Sequence, residues 1–365
     1  MAIHIESFGV DGFRGISSLD IKDLNHINII AGDNNSGKTS VLESIIMFSN
    51  PFDLKTLFSV ARLRDETAIM NSASSYDGFL NLFAKDRDEM SINGHATMGK
   101  LDVRYTIKGE LKRVLLDKAN VDKRILRNLS SDALSDVSAF SGELIGRING
   151  KTNTEKIEIN EYSLSTIQGK KIAHKLPKVK YLSPISHITG NNFDDIIRND
   201  EYKNICIRIL QLFDADIVDL LLLKSEVTNL TVEYIKHRRF GNMPLNTYGD
   251  GIKKIIALAN AIAKSAHGIL LIDEVETAIH TKHYNDIFSF ISKAAIQFGV
   301  QVFITTHSIE AIDSFLETQN YTQNNFEDNI SVITFKKENK NTLSRVLTGR
   351  STYESRENFD FEVRL

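Results

Sequence analysis

Gly32-Asp33-Asn34-Asn35-Ser36-Gly37 is a run of two glycines bracketing four residues, and Lys38, Thr39 and Ser40 follow it. That spacing suits the cradling of a nucleoside triphosphate. A loop wrapped around phosphates turns its backbone N–H groups inward, and glycine reaches the φ values this requires. The helix that follows directs its positive end at the same anion. Lys38 brings a mobile positive charge to the β- and γ-phosphates, and the Thr39 hydroxyl is a ligand for Mg²⁺.

Three other groups could act on the same substrate. Asp273 and Glu274 close the apolar run Ile269–Ile272, at the strand end where open α/β sheets place their ligands. Asp273 suits holding Mg²⁺, directly or through water, and Glu274 suits polarising the water that attacks the γ-phosphate. His307 ends the next apolar strand, and adjacent parallel strands bring it near Glu274, where it can hydrogen-bond that phosphate. Gly249-Asp250-Gly251 opens another helix, and a Gly-x-Gly turn there is an anion nest. Each has a bland alternative, as a helix-start acid, a capping histidine or a plain turn. A neighbouring phosphate cradle weights the acids and His307 toward chemistry. His280 and His283 have metal-compatible spacing but no further ligand cluster, so they read as capping or solvent-facing.

The elements that must position these groups follow from hydrophobic periodicity. Ile3–Val10 and Ile16–Ile21 alternate like a half-buried hairpin, and HINIIA before Gly32 suits a covered strand. A helix runs from about Gly37 to Phe48. Between Asp53 and Asp88 the pattern is helical and interrupted, and from Ala96 to Lys175 strand-like. From Val179 onward, YLSPIS, IVDLLLLK, GILLIDE and VQVFIT alternate with helices over about Asn192–Phe213, Ile252–Ala263 and Tyr284–Phe298. Strands buried on both faces predict a mostly parallel sheet flanked by helices, with an N-terminal antiparallel β part. Residues 1–50 and 178–348 form the core. Residues 51–177 are a mixed α/β insertion, helical over about 53–90 and β-rich over about 96–175, and 349–365 are a charged, mobile tail.

Composition narrows the class. The 365 residues are 42% hydrophobic and 25% charged, which excludes a disordered or fibrous chain. A net charge of -3 provides no chain-wide field for nucleic acid, leaving only local basic stretches: Lys170, Lys171, Lys175, Lys178 and Lys180, then Lys236, Arg238 and Arg239. The single cysteine, Cys206, excludes a disulfide framework, fits a reducing cytoplasm and reads as a buried inert thiol. No apolar run reaches membrane-spanning length, and MAIHIESFGVDGFRG lacks the basic start and apolar core of a signal peptide. A cytoplasmic protein with no membrane partner is expected.

GFRG near the start, GDNNSGKTS, TYGDGIKK, LLIDEVETAIH and FITTHS occur in an order that resembles ABC/SMC-type ATPase heads. The resemblance is to the small bacterial SMC-like ATPases related to the overcoming-lysogenization-defect (OLD) family, and it covers residues 1–50 and about 180–335. It implies an Mg²⁺-dependent ATP hydrolase, working as a homodimer or higher oligomer with ATP sandwiched between heads. Tyr248–Lys253 then matches the signature motif, whose backbone contacts the γ-phosphate held by the opposite protomer. Glu276 and His280 fall in the interface loop after the Walker B strand, and Arg14 resembles an early basic residue near the nucleotide. The signature departs from the strict Ser-Gly-Gly of transporters, and Lys38 lies much further from Gly249 than transporters allow. After His307 there is no Asp-x-Asp cluster of a TOPRIM nuclease domain.

These features imply an ATPase whose nucleotide state controls a separate effector, a nuclease or toxin, as in anti-phage defence. The alternative is an SMC-like repair or recombination ATPase acting on DNA. Glu274 disfavours a non-catalytic scaffold.

Overall fold

A hairpin of β1 (Ser7–Phe13) and β2 (Ile16–Ile21) opens the fold and leads to β3 (Ile27–Gly32) and helix α1 (Lys38–Met47). The computed structural model describes residues 3–63, 75–85, 89–115, 137–162, 176–189, 193–224, 230–321, 328–338, 341–359 and 362–363. Helices α2 (Leu54–Arg62) and α3 (Ser75–Leu80) precede four long strands: β4 (Met90–Met98), β5 (Leu101–Val114), β6 (Val137–Ile148) and β7 (Lys151–Ile159). After β8 (Val179–Leu182) come α4 (Ser186–Thr189), α5 (Asp194–Ile197) and α6 (Asp200–Phe213), then β9 (Ile217–Lys224), β10 (Thr231–His237) and β11 (Gly241–Pro244). The remainder is α7 (Asp250–Lys264), β12 (Ile269–Ile272), α8 (Tyr284–Gln297), β13 (Gln301–Thr306), α9 (Ile309–Leu316), β14 (Ile330–Glu338), β15 (Asn341–Thr348) and α10 (Gly349–Phe359).

The central sheet has the order β15-β14-β3-β13-β12-β8. All its neighbours run parallel except the edge strand β15. Alternation along its strands sorts two cores. Ile27, Ile29, Leu270, Ile272, Val302 and Ile304 face a cluster with Leu258, Ile262, Ile287 and Ile291 of α7 and α8. Ile30, Leu271, Phe303 and Ile333 face the other side, where Val41, Leu42 and Ile45 of α1 meet Phe8 and Val10. Each such fully buried aliphatic contributes about 1.5–3 kcal/mol, which makes this sheet a stiff platform for the loops at its ends.

The second sheet, β2-β1-β4-β5-β6-β7, is antiparallel throughout. Strands from the expected insertion therefore join the N-terminal hairpin directly, with Ser7 opposite Thr97. The buried Gln301 side chain ties the layers: it accepts from the N–H of Ile5 at 2.7 Å and donates to the Ile5 carbonyl at 2.8 Å.

Two expectations are corrected. IVDLLLLK is not in the parallel sheet, since β9 pairs antiparallel with β10 in a separate three-stranded sheet, β11-β10-β9. The expected mobile tail instead forms α10: Arg356 Nη2 lies 2.7 Å from Asp313 Oδ2, Tyr353 stacks on Tyr321, and Thr352 and Val363 are buried. Residues 64–74, within the interrupted helical stretch, and Lys170, Lys171 and Lys175 lie outside the described residues. Among the described residues, no helix is long and apolar enough to cross a membrane.

Candidate nucleotide site

The loop after β3 is shaped by two glycines that no other residue replaces cheaply. Gly32 has φ +148°, and a Cβ there would lie 2.9 Å from the Phe335 carbonyl oxygen. Gly37 has φ +101° and stands at the N-terminus of α1. Lys38, the first residue of α1, folds back so that Nζ donates to the carbonyls of Gly32 at 2.7 Å and Asp33 at 2.8 Å. Burial pushes its pKa down, against the opposing pull of Asp273 and Glu274.

Asn34, Asn35, Lys38, Thr39, Asp273 and Glu274 all line one cavity of about 460 Å³, together with Tyr181, Pro184 and Ile185. Its floor is a hydrogen-bonded knot around the buried Asp273. The Thr39 hydroxyl donates to its carboxylate at 3.1 and 3.2 Å, Tyr181 at 2.9 Å and Thr305 at 2.5 Å. Thr305 Oγ1 also accepts from the N–H of Glu274 at 2.8 Å. Glu274 itself has φ +47°, in the left-handed region, a strained conformation for a side-chain-bearing residue.

β12 and β13 are adjacent, with Ile272 opposite Ile304, as the sequence requires. His307, however, is held by Glu276: its backbone N–H and its Nδ1 lie 2.9 and 3.0 Å from Glu276 Oε1.

Gly249 and Gly251 are not in the phosphate-loop cavity. They line a second one, of about 470 Å³, with Phe213, Tyr248, Ile279 and His280. Asp250 starts α7 and pairs with Lys253 at 3.1 Å. Arg14 braces α1 against α2: Nε is 2.7 Å from the buried Glu43, and Nη2 donates to the Val60 carbonyl.

Sequence reasoning missed Lys254. It is fully buried on α7, with Nζ 3.5 Å from the Pro184 carbonyl, and burial pulls its pKa to about 8 against Glu276, Asp273 and Glu274. Tyr181 and Thr305 were missed as well. Each stands one residue before the end of its strand, where a hydroxyl can reach the loops beyond it.

His280 caps the turn Thr281–His283 by accepting from the Lys282 N–H, and His283 packs on Phe213 with ring centroids 4.0 Å apart, so both are structural. Asp214, Asp216 and His237 also converge. His237 Nδ1 accepts from the N–H groups of Arg239 and Phe240, which puts the ring proton on Nε2, beside Asp214 at 3.3 Å. Asp216 pairs with Arg239 at 2.6 Å and with Arg238 at 3.5 Å. With both histidine nitrogens committed, this knot rigidifies a hairpin and offers little to a metal.

A family model described as "AAA domain, putative AbiEii toxin, Type IV TA system" matches residues 27–313. An "ATP/GTP phosphatase" of Helicobacter pylori is 21% identical, over 97% of this chain and 99% of that protein. A "DNA replication and repair protein RecF" of Geotalea daltonii is 25% identical, over 86% of this chain and 95% of that protein. Among solved structures, an SmcHead bound to the C-winged helix domain of ScpA is similar in fold. Its TM-score is 0.51 at 11% identity, covering 96% of this chain and 100% of that one.

Proposed function

From the premise that this chain belongs to the AAA-domain family of P-loop ATPases and is an ATP hydrolase, we propose that two heads sandwich ATP and that their nucleotide state controls a separate effector protein. The observation that carries the site is the contact of the Thr39 hydroxyl with the Asp273 carboxylate, beside Glu274 on one cavity wall.

The residues present fit Mg-ATP. Thr39 and Asp273 are hard oxygen donors of the kind Mg²⁺ takes, and the buried Ser36 hydroxyl of the cradle has no hydrogen-bond partner among the described residues. Bound Mg²⁺ neutralises charge that develops on the phosphates. Residues Gly32–Ser40 hold the triphosphate, Lys38 moving its charge from the loop carbonyls to the β- and γ-phosphates. Glu274 draws the proton from the attacking water, and His307 hydrogen-bonds the γ-phosphate. The separation of Gly249 and Gly251 from the phosphate-loop cavity supports their action on the neighbour's nucleotide.

The effector is a nuclease or toxin, and the setting is cytoplasmic anti-phage defence. The toxin–antitoxin wording of the family description supports an effector-coupled role. The likeness to RecF favours a second reading, action on DNA.

Glu274→Gln tests the mechanism. Amide for carboxylate keeps shape but loses the base, so turnover falls by roughly 100-fold or more while Mg-ATP still binds. Light scattering with ATP then reports a trapped assembly. Turnover near wild type defeats the role of Glu274, and bound nucleotide without any change in mass defeats the sandwich. Co-purification with the neighbouring gene product, with and without ATP, separates effector control from action on DNA, which salt-dependent DNA binding tests directly.

A further inference from the structure

β12 ends at Ile272 and β13 at Thr306, and past those ends hydrogen bonds keep the two segments stitched together. The Glu274 N–H donates to Thr305 Oγ1 at 2.8 Å, and the Val275 N–H donates to the Thr305 carbonyl at 3.2 Å. One residue on, the direction reverses and a side chain takes over. Glu276 Oε1 accepts the backbone N–H of His307 at 2.9 Å and lies 3.0 Å from its Nδ1. A carboxylate oxygen only accepts, so Nδ1 carries the proton that faces it. One oxygen therefore sets both where the His307 backbone stands and how its ring is turned.

That oxygen is itself well anchored. The Thr277 N–H donates to the Glu274 carbonyl at 3.1 Å and the Ile279 N–H to the Glu276 carbonyl at 3.0 Å, two successive turns. Left-handed residues stand on either side, Glu274 at φ +47° and Ala278 at φ +66°. Side-chain-bearing residues keep such angles only where the surroundings over-determine them. Exposure then divides the pair: the Glu276 side chain is 8% exposed and that of His307 is 52% exposed, so the histidine is the member a nucleotide reaches.

We propose, on the reading of His307 given above, that Glu276 is a positioning residue for hydrolysis: its Oε1, fixed in the loop after β12, holds the His307 imidazole in place for the γ-phosphate. The position of the accepting oxygen matters more than the charge behind it. Two conservative variants separate these. Glu276→Gln keeps an accepting oxygen at the same reach and loses the charge. Glu276→Asp keeps the charge and draws the oxygen back by about 1.5 Å, one carbon–carbon bond, which takes both contacts beyond hydrogen-bonding distance. A role through charge ranks the two the other way.

Turnover, KM for ATP, ATP affinity and the unfolding midpoint are measured for both, for His307→Ala, and for Glu276→Asp combined with His307→Ala. Glu276→Asp should lower kcat about thirtyfold or more, with KM and ATP affinity within about threefold of wild type. Glu276→Gln, a weaker neutral acceptor in the right place, should lower kcat only about threefold. The double variant should match His307→Ala to within about twofold, because Glu276 then has no ring left to place. Normal kcat in Glu276→Asp, a Glu276→Gln protein as slow as Glu276→Asp, or losses that multiply in the double variant overturns the proposal. So does a Glu276→Asp chain that fails to fold, which makes the contact structural. His307→Ala keeps the two readings apart: normal turnover there removes the histidine from the γ-phosphate and Glu276 loses its role with it, whereas a slow His307→Ala beside a normal Glu276→Asp leaves the histidine in place and sinks the role of Glu276 alone.

Discussion

Thr305→Val removes one hydroxyl and changes the side-chain shape little. That hydroxyl is fully buried and bridges the two acidic residues, donating to Asp273 Oδ1 at 2.5 Å and accepting from the Glu274 N–H at 2.8 Å. A hydrogen bond to a charged group contributes about 1.5–3 kcal/mol, and leaving the Glu274 N–H unsatisfied costs about 1–3 kcal/mol more. The methyl group that replaces the hydroxyl returns about 1 kcal/mol. A net loss of about 2–4 kcal/mol lowers the Tm by about 3–5 °C in a chain of 365 residues. The catalytic effect follows from the backbone. Glu274 sits at φ +47°, a conformation that costs about 1–3 kcal/mol and persists because neighbours enforce it. Without the Thr305 bond the carboxylate drifts, and a displacement on the order of 1 Å lowers kcat about 100-fold. ATP affinity changes little, because Lys38 and Thr39 are untouched. Thr305→Ser is the control: it keeps both hydrogen bonds and costs about 1 kcal/mol through the lost methyl. The assays are a thermal melt and steady-state turnover on the three proteins. A Thr305→Val protein that melts within about 2 °C of wild type with normal kcat would refute the bridging role.

Lys38→Ala should weaken ATP binding by roughly 100-fold, one or two charge-assisted contacts at 1.5–3 kcal/mol each; a fluorescent ATP analogue titrated to unchanged affinity removes Lys38 from the phosphates. Gly251→Glu should leave ATP binding to one head intact yet block turnover, since it adds charge to a turn whose Cβ position is already 3.3 Å from the Ala278 carbonyl oxygen; normal turnover makes the turn structural only. Cys206 is fully buried and its thiol is pushed up to about 12, so a disulfide reagent at about pH 8 should label the protein only after denaturant is added. Rapid labelling of the folded protein contradicts that burial.

Much of the central sheet was legible because its strands are short, apolar and closed by turn signals. Ile27–Gly32, Ile269–Ile272 and Gln301–Thr306 are buried at every position, and each ends where the chemistry begins. Ile217–Lys224 has the same local pattern and another fate. Hydrophobicity says that a strand is covered, and it does not say which strand pairs with it, so β9 and β10 form a sheet of their own. The C-terminal residues misled in the opposite sense. Gly349–Phe359 is rich in charge, yet Thr352 and Tyr353 dock the helix while Arg356 grips Asp313, contacts made with residues distant in sequence.

The nucleotide site divides along the same line. Gly32–Thr39 and Asp273–Glu274 were legible because each is a pattern of consecutive residues. Groups defined by what they pack against were not. Lys254 in DGIKK reads as a solvated helical lysine, because its twin Lys253 does pair with Asp250 on the surface. Only packing distinguishes the two: α7 buries Lys254, whose Nζ lies 3.5 Å from the Pro184 carbonyl just after β8. His307 shows the same logic from the other end. Its strand was placed correctly beside that of Glu274, but the residue that grips it, Glu276, lies past the left-handed turn at Glu274. That turn redirects the chain, so Glu274 lines the cavity with Lys38 and Thr39 while Glu276, two residues on, holds His307.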